Sequence, residues 1–352
     1  MLALTLILIA VVTVIQLMTT EAFLKTVTYS CDFSKQLVEP GEEFDITVTI
    51  TNSGRLFIPF IKIEQAFPSE LMLRGLKLSQ TVVPKTYIHH TSTLYLMPRS
   101  KYIKRMRASI AIRGRYIFPG AYLKVGDFLA LGDKLSKQTS LSHEIVVYPK
   151  AAATEGVSVV MGGVLGDLSV KRFIMEDPVL VSGFREYSGR EPMKAISWNH
   201  SLKAGKLMVR LFDHTIEPAV SVVLDVESTG LIGCADKKEL SFAAARSLCT
   251  TLEQRGIKYD FLTNATTADA VKRWSYKPEG RGVRHFSVIM EGLGRASHTH
   301  VETFKAISET LVRKKNYDRF IILITVKDRA LWDEEVTHIE RSNGGKVYVI
   351  SA

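Results

Sequence analysis

Hydrophobic and polar positions change their period along this chain, and the changes divide it. Residues 2–18, LALTLILIAVVTVIQLM, are apolar apart from Thr5, Thr13 and Gln16. Carried on to Leu24, this run predicts a transmembrane helix over residues 1–24, at the short end of the spanning range. From about Lys25 to Lys150 the period becomes two. EFDITVTITN alternates Phe44, Ile46, Val48 and Ile50 with polar neighbours, the pattern of a half-buried strand. LFIPFIKIEQAF, TSTLYLM, SIAIRGRYIF and HEIVVYP follow, with turns at Pro40-Gly41 and Pro119-Gly120. These predict an immunoglobulin-like β-sandwich over residues 25–150. Residues 151–182 are small and glycine-containing and read as a linker or extended wrap.

In residues 183–352 strand and helix alternate. AVSVVLDV is a continuous apolar run of the fully buried kind. KKELSFAAARSLCTTLEQRG puts Leu240, Ala244, Leu248 and Leu252 on one helical face and stops at Gly256. IKYDFLT, RHFSVIM, RFIILITV and KVYVIS read as further strands, HVETFKAISETLVRKK and RALWDEEVTHIERSN as helices. The expected fold class is therefore α/β plus all-β. A membrane helix leads into a sandwich, then into a parallel-sheet domain with helices on both faces.

Charge adds a direction to this outline. The formal net charge is +10 and the pI about 9.4, which favours anionic surroundings: a membrane surface, nucleic acid or an acidic protein. Arg99, Lys101, Lys104, Arg105, Arg107, Arg113 and Arg115 form a stretch without an acid, suited to anionic lipid or to a solvated edge strand. Lys25 and Lys35 follow the apolar segment and nothing basic precedes it. With no positive n-region and no small-x-small site, a cleaved signal peptide is disfavoured. The positive-inside rule then gives a single-pass protein of the cell membrane with its domains in the cytoplasm. Cys31, Cys234 and Cys249 form an odd set without paired spacing, which fits reduced thiols better than a disulfide framework.

Residues 183–210, GFREYSGREPMKAISWNHSLKAGKLMVR, interleave Phe184, Tyr187 and Trp198 with six cations and the acids Glu186 and Glu191. So many cations do not suit a core strand, nor so many aromatics a disordered linker. The stretch resembles the domain-of-unknown-function 58 family, whose signature runs Arg-x-Tyr, a Gly-acid pair, a basic residue, Ile-x-Trp and a basic Leu-x-Val segment. Arg185, Tyr187, Glu191, Lys194, Ile196, Trp198, Lys203, Leu207 and Val209 fill these places, with Arg190 where the family has Gly. The resemblance extends to EPGEEFDITVTITNSGRLFIP and RGRYIFPGAYLKVGDFLAL. It implies a membrane-anchored protein with a von Willebrand factor A-like domain, working beside a MoxR-type AAA+ ATPase. The docking surface it points to is Arg185, Tyr187, Glu191, Lys194, Trp198, Lys203 and Arg210. Arg185 and Lys194 are expected to pair with Glu186, Glu191 or Asp177, and Trp198 to pack on the sheet.

Asp225 ends the AVSVVLDV strand, and ligands of open α/β sheets bind beyond the carboxyl ends of strands. Von Willebrand A domains bind a divalent cation there through Asp-x-Ser-x-Ser. Here the run is Asp225-Val226-Glu227-Ser228-Thr229, making Asp225, Glu227 and Thr229 the candidate oxygen ligands of Mg²⁺. Alternatively, Asp225 caps the following turn through backbone amides. GLGRASHTH lacks the dinucleotide and P-loop fingerprints and reads as a tight strand-to-helix turn. No Ser-His-acid or Cys-His set, carboxylate dyad or zinc spacing is legible. The expected function is that of a membrane-tethered, non-catalytic scaffold. The alternatives are a metal-dependent cell-envelope enzyme built on Asp225, or an anionic-lipid or nucleic-acid module. Nucleic acid is disfavoured, since no helix-turn-helix or RNA-recognition pattern is present.

Overall fold

The computed structural model describes residues 21–74, 87–126, 133–138, 143–151, 155–174, 176–214, 219–228, 234–267, 275–313, 319–343 and 346–351. It divides into two units: Met1–Lys150 with Met290–Arg295, and Ala151–Ile289 with Ala296–Ala352.

The strands of the first unit are β1 (Val27–Phe33), β2 (Leu37–Val38), β3 (Glu43–Asn52), β4 (Ile58–Pro68), β5 (Leu71–Leu73), β6 (Tyr87–Leu96), β7 (Lys101–Ile110), β8 (Gly114–Phe118), β9 (Ala121–Gly126), β10 (Asp133–Gln138) and β11 (His143–Val147). They form four-stranded sheets of order β1-β3-β7-β5 and β10-β9-β4-β6, and a three-stranded sheet β2-β11-β8. Both four-stranded sheets are antiparallel throughout. Period-two burial is the reason. Phe44, Ile46, Val48 and Ile50 of β3 point into one core with Ile61 and Ile63 of β4, while their neighbours face outward.

The cationic stretch is largely committed within this unit. Arg107 pairs with Glu43 and Asp45, and Arg115 donates to Glu144 at 2.6 Å. Buried Arg113 donates to the Leu293 carbonyl at 2.7 Å, and Lys104 Nζ lies 3.2 Å from His90 Nε2. Alternation along β7 keeps Lys101, Arg105 and Arg107 on one exposed face and sends Lys104 to the other.

The expected membrane span is corrected here. Among the described residues no helix is long and apolar enough to cross a membrane. Residues 1–20 of the presumed span lie outside the described residues. Its last turn is helical but packs into protein: Phe23 is 1 % exposed in the sandwich core, Leu24 leans on it, and β1 begins at Val27. The single-pass localisation falls with the span.

The second unit contributes β12 (Glu176–Glu186), β13 (Met208–His214), β14 (Ala219–Asp225), β15 (Lys258–Thr263), β16 (Ala265–Thr267), β17 (Tyr276–Gly280), β18 (Ala296–His300), β19 (Phe320–Thr325) and β20 (Val347–Ser351). After the helical residues 21–26, the α-helices among the described residues are α1 (Glu155–Ile174), α2 (Trp198–Ala204), α3 (Cys234–Gln254), α4 (Val283–Arg295), α5 (Phe304–Arg313) and α6 (Asp333–Asn343). A five-stranded sheet runs β17-β15-β14-β19-β20, with β12-β13 and β16-β18 as separate two-stranded ribbons. Val223, Leu262, Ile321, Leu323 and Val347 face α5 and α6, and α3 packs against β14, β15 and β19. Gly256, at φ +65°, takes the left-handed turn after α3 that a side chain would resist.

The von Willebrand A-like architecture expected here is corrected too. β-Structure dominates the described residues, and the five-stranded sheet is mixed. Its margin β17 runs against β15, pairing Leu262 with Tyr276 and Tyr259 with Gly280. Two further expectations change. Residues 151–182 contain the 20-residue helix α1 instead of a wrap, with Gly163 against the Tyr348 ring and Asp167 bonded to its hydroxyl. RHFSVIM is not a strand but lies in α4, whose later turns hold Gly292 and Gly294. The expected turn in GLGRASHTH is therefore a helix end leading into β18.

Candidate functional site

Two constellations in the second unit hold the residues expected to carry function. The first lies at the carboxyl ends of β14, β15 and β19. Asp225 is 0 % exposed. Its Oδ1 accepts from Asn264 Nδ2 at 2.6 Å and from the Glu227 amide at 3.0 Å, and its Oδ2 accepts from Thr325 Oγ1 at 3.1 Å. Asn264 Oδ1 in turn accepts from the Val226 amide at 2.9 Å. Lys327, which the sequence reading did not single out, enters the same space. Its Nζ is 2.6 Å from Glu227 Oε2 and 3.7 Å from Asp225 Oδ2. Glu227 Oε2 also accepts from the Phe304 amide at 2.7 Å.

Burial pushes the Asp225 carboxyl above the ordinary range, against the pull of Lys327 and three hydrogen bonds. Burial works the same way at Glu227, but the Lys327 ammonium and the Phe304 amide outweigh it and hold that carboxyl below its usual value. Thr229 lies outside the described residues. Among the described residues no three His, Cys, Asp or Glu side chains gather as a metal cluster. The donors that are present do not suit Mg²⁺. Both Asp225 oxygens already accept hydrogen bonds, and an ammonium lies within ion-pair distance of both carboxylates. A divalent ion there would meet a fixed positive charge. Asp225 does satisfy a backbone amide of the turn that follows it.

The second constellation is the hairpin of β12 and β13 with its helical insertion. Phe184 is paired with Arg210 and Glu186 with Met208, so the ends of residues 183–210 are brought side by side. All seven expected docking residues therefore lie on one supersecondary unit. Arg185 Nη2 is 2.6 Å from Glu191 Oε1. Glu191 also accepts from the Ser188 hydroxyl at 2.6 Å and the Ser188 amide at 3.0 Å, and its carboxyl is drawn down to about 2, chiefly by the Ser188 hydroxyl. Lys206 pairs with Glu186 at 3.3 Å. Of the expected partners, Glu191 takes Arg185, while Lys194 is exposed on a 3₁₀ turn. No ion pair is found for Arg190, Lys194, Lys203 or Arg210 among the described residues, so the acids are neutralised and four cations are left.

Helix α2 is turned inside out. Its inward positions are Ser197 and Ser201: Ser201 Oγ donates to the Ser197 carbonyl at 2.8 Å and accepts the Met208 amide at 2.8 Å. Close approach of helix and ribbon requires a small polar side chain at that point. Trp198 and Leu202, one turn apart and next to the serines around the helix, point outward instead, 59 % and 82 % exposed. Trp198 thus does not pack on the sheet as expected, because the serines occupy the buried face. His200 stacks on Phe184, ring centroids 3.5 Å apart and 18° from parallel, and its Nδ1 lies 3.1 Å from Ser197 Oγ. The stack on Phe184 pins the helix to the ribbon, while the Ser-His contact lies within the helix's own first turn; the serine is buried, 4 % exposed.

No family model matches the chain, and no curated protein matches it. Among solved structures it is similar to the CARDB domain of the PF1109 protein from Pyrococcus furiosus, at 15 % identity over 34 % of this chain and 86 % of that one, with a TM-score of 0.23. It is also similar to a cohesin module of a family 33 glycoside hydrolase from Clostridium perfringens, at 14 % identity over 35 % of this chain and 95 % of that one, with a TM-score of 0.24. Neither is a von Willebrand A domain, and likenesses this slight carry no argument about what the protein does.

Proposed function

We propose that this protein is a non-catalytic interaction scaffold that docks a partner protein on the hairpin of residues 183–210. One observation carries the reading. Helix α2 buries serines and turns Trp198 and Leu202 outward, with Met193 of the preceding turn 70 % exposed. An isolated exposed apolar residue is ordinary, but an apolar helix face turned outward on a cation-rich hairpin marks a surface suited to being covered. Tryptophan, methionine and arginine are the residues enriched at the centres of such contacts. The four cations with no ion pair among the described residues favour an acidic face on the other side. The resemblance to the domain-of-unknown-function 58 family supplies the first partner to try, a MoxR-type AAA+ ATPase.

The reading is tested by placing a photo-crosslinking amino acid at position 202 of the full chain. The variant is irradiated with a purified MoxR-type ATPase from the same source, in the presence of ATP. A crosslink that disappears when Lys194→Glu and Lys203→Glu are added is the expected result. Capture from an unrelated exposed position such as Val159, with none from position 202, would count against the hairpin as the docking surface.

A further inference from the structure

The strand-end cluster is oxygen-rich and acidic, with Asp225 fully buried and Glu227 partly exposed, yet it suits no divalent ion, and Lys327 is the chief reason. The lysine is not a wandering surface side chain. It is 8 % exposed, its backbone amide donates to Thr325 Oγ1 at 3.2 Å, and its carbonyl accepts from Trp332 Nε1 at 3.2 Å. Its ammonium lies 5.5 Å from the centre of the Phe304 ring. Main chain and side chain are thus both held, and the charge is delivered to a fixed place between Glu227 and Asp225.

We propose that Lys327 is a built-in cation: its ammonium does at these strand ends the neutralising and loop-joining work that a bound divalent ion would do. Removing it uncovers a latent divalent-cation site made by Asp225, Glu227 and Thr325. The connections support this. Through Glu227 the ammonium shares an acceptor with the Phe304 amide, so one carboxylate ties the end of β14 to both the end of β19 and the start of α5. Asn264 adds the end of β15, donating to Asp225 and, at 3.2 Å, to the Glu302 carbonyl. Four chain segments therefore meet around one positive charge. A tethered charge needs no ion from solution, so the assembly of this face is indifferent to chelators. Without that charge, a buried carboxylate and a partly exposed one would be left near each other without a counter-charge, an arrangement a hard cation relieves.

The test is thermal unfolding of the full chain with and without Mn²⁺, with free Mn²⁺ followed by electron paramagnetic resonance. Wild type is expected to melt at the same temperature in EDTA and in millimolar MnCl₂, and to leave the Mn²⁺ signal unchanged. Lys327→Ala is expected to lose roughly 5–10 °C in EDTA. Mn²⁺ should recover part of that loss and its free signal should fall, and both responses should vanish when Asp225→Asn is added. Lys327→Met keeps a stem to lie over Phe304 and separates charge from packing; it should melt low and respond to Mn²⁺ as Lys327→Ala does. Should Lys327→Ala fail to fold, Lys327→Met carries the same titration. Asp225-dependent Mn²⁺ binding by wild type would overturn the proposal. So would wild-type stability in Lys327→Met, or a folded lysine variant that takes up no Mn²⁺.

Discussion

Asn264 and Asp225 are joined in a two-part clasp. The Asn264 amide nitrogen donates to the Asp225 carboxylate at 2.6 Å, and the oxygen on the same amide carbon receives the amide of Val226 at 2.9 Å. One side chain from β15 thereby satisfies a buried carboxylate and a buried backbone donor of the neighbouring strand. Asn264→Ala leaves both without that partner and should cost about 2–4 kcal/mol of unfolding free energy. Asn264→Asp should cost more, since it removes the donor and sets a second carboxylate against the first. Urea unfolding of the full chain, read as a change in midpoint at constant slope, checks both.

Glu191 should titrate far below an ordinary glutamate. Its carboxyl is held at about 2, so the folded-state value is depressed. The stabilisation it brings is therefore complete above the ordinary glutamate value and is lost as pH falls through about 2. Carboxyl carbon resonances followed during acid titration should place the midpoint near 2 in the wild type. The midpoint should rise towards the ordinary value in Ser188→Ala, because the Ser188 hydroxyl is the leading cause of the shift.

The two faces of α2 should respond oppositely to substitution. Trp198→Ala and Leu202→Ser alter exposed positions and should move stability by no more than about 0.5 kcal/mol. Partner capture through the hairpin should nevertheless be lost. Ser201→Ala strips the Met208 amide of its acceptor and should destabilise by about 1–2 kcal/mol. Circular dichroism melts set beside crosslinking yields separate the two effects.

Adjacent glycines of α1 should also give opposite signs. A Cβ on Gly162 meets nothing within 4 Å, so Gly162→Ala gains helix propensity, about 0.5–1 kcal/mol. A Cβ on Gly163 would lie 2.8 Å from Tyr348 Cε1. That ring is buried and its hydroxyl is bonded to Asp167, so it cannot swing aside, and Gly163→Ala should destabilise by about 1–3 kcal/mol. Melting temperatures of the two single variants test this directly.

Legibility in the sequence followed the clarity of the period. Phe44, Ile46, Val48 and Ile50 alternate without interruption, and β3 lies where they place it. Helix α3 likewise announces itself through Ala244, Leu248 and Leu252, all buried, although Leu240, placed on the same face, is exposed. RHFSVIM misled because a short apolar run has no period of its own. Only when Leu293 is included do Phe286, Ile289, Met290 and Leu293 show the spacing of a helix face, as α4 has it. In α1 the glycines that let it approach Tyr348 are the residues that argue for a linker. The apolar amino terminus invited a lipid reading that Phe23, buried in the sandwich, does not support. At the strand ends the search was for oxygen ligands, which passes over a lysine. The available signal was position: Lys327 follows an apolar strand just as Glu227 and Asn264 do. Trp198 was misplaced because aromatic residues are read as core, and only the serines at 197 and 201 betray the reversed face.

Strand β17 has a consequence for how copies of this chain meet. It forms one margin of the five-stranded sheet among the described residues, and its middle residue, Pro278, has no N–H to offer a newcomer and sits between Lys277 and Glu279. Among the described residues the other margin is β20, against which α1 packs. A second molecule therefore finds little backbone to pair with along β17, and strand addition on that side is discouraged.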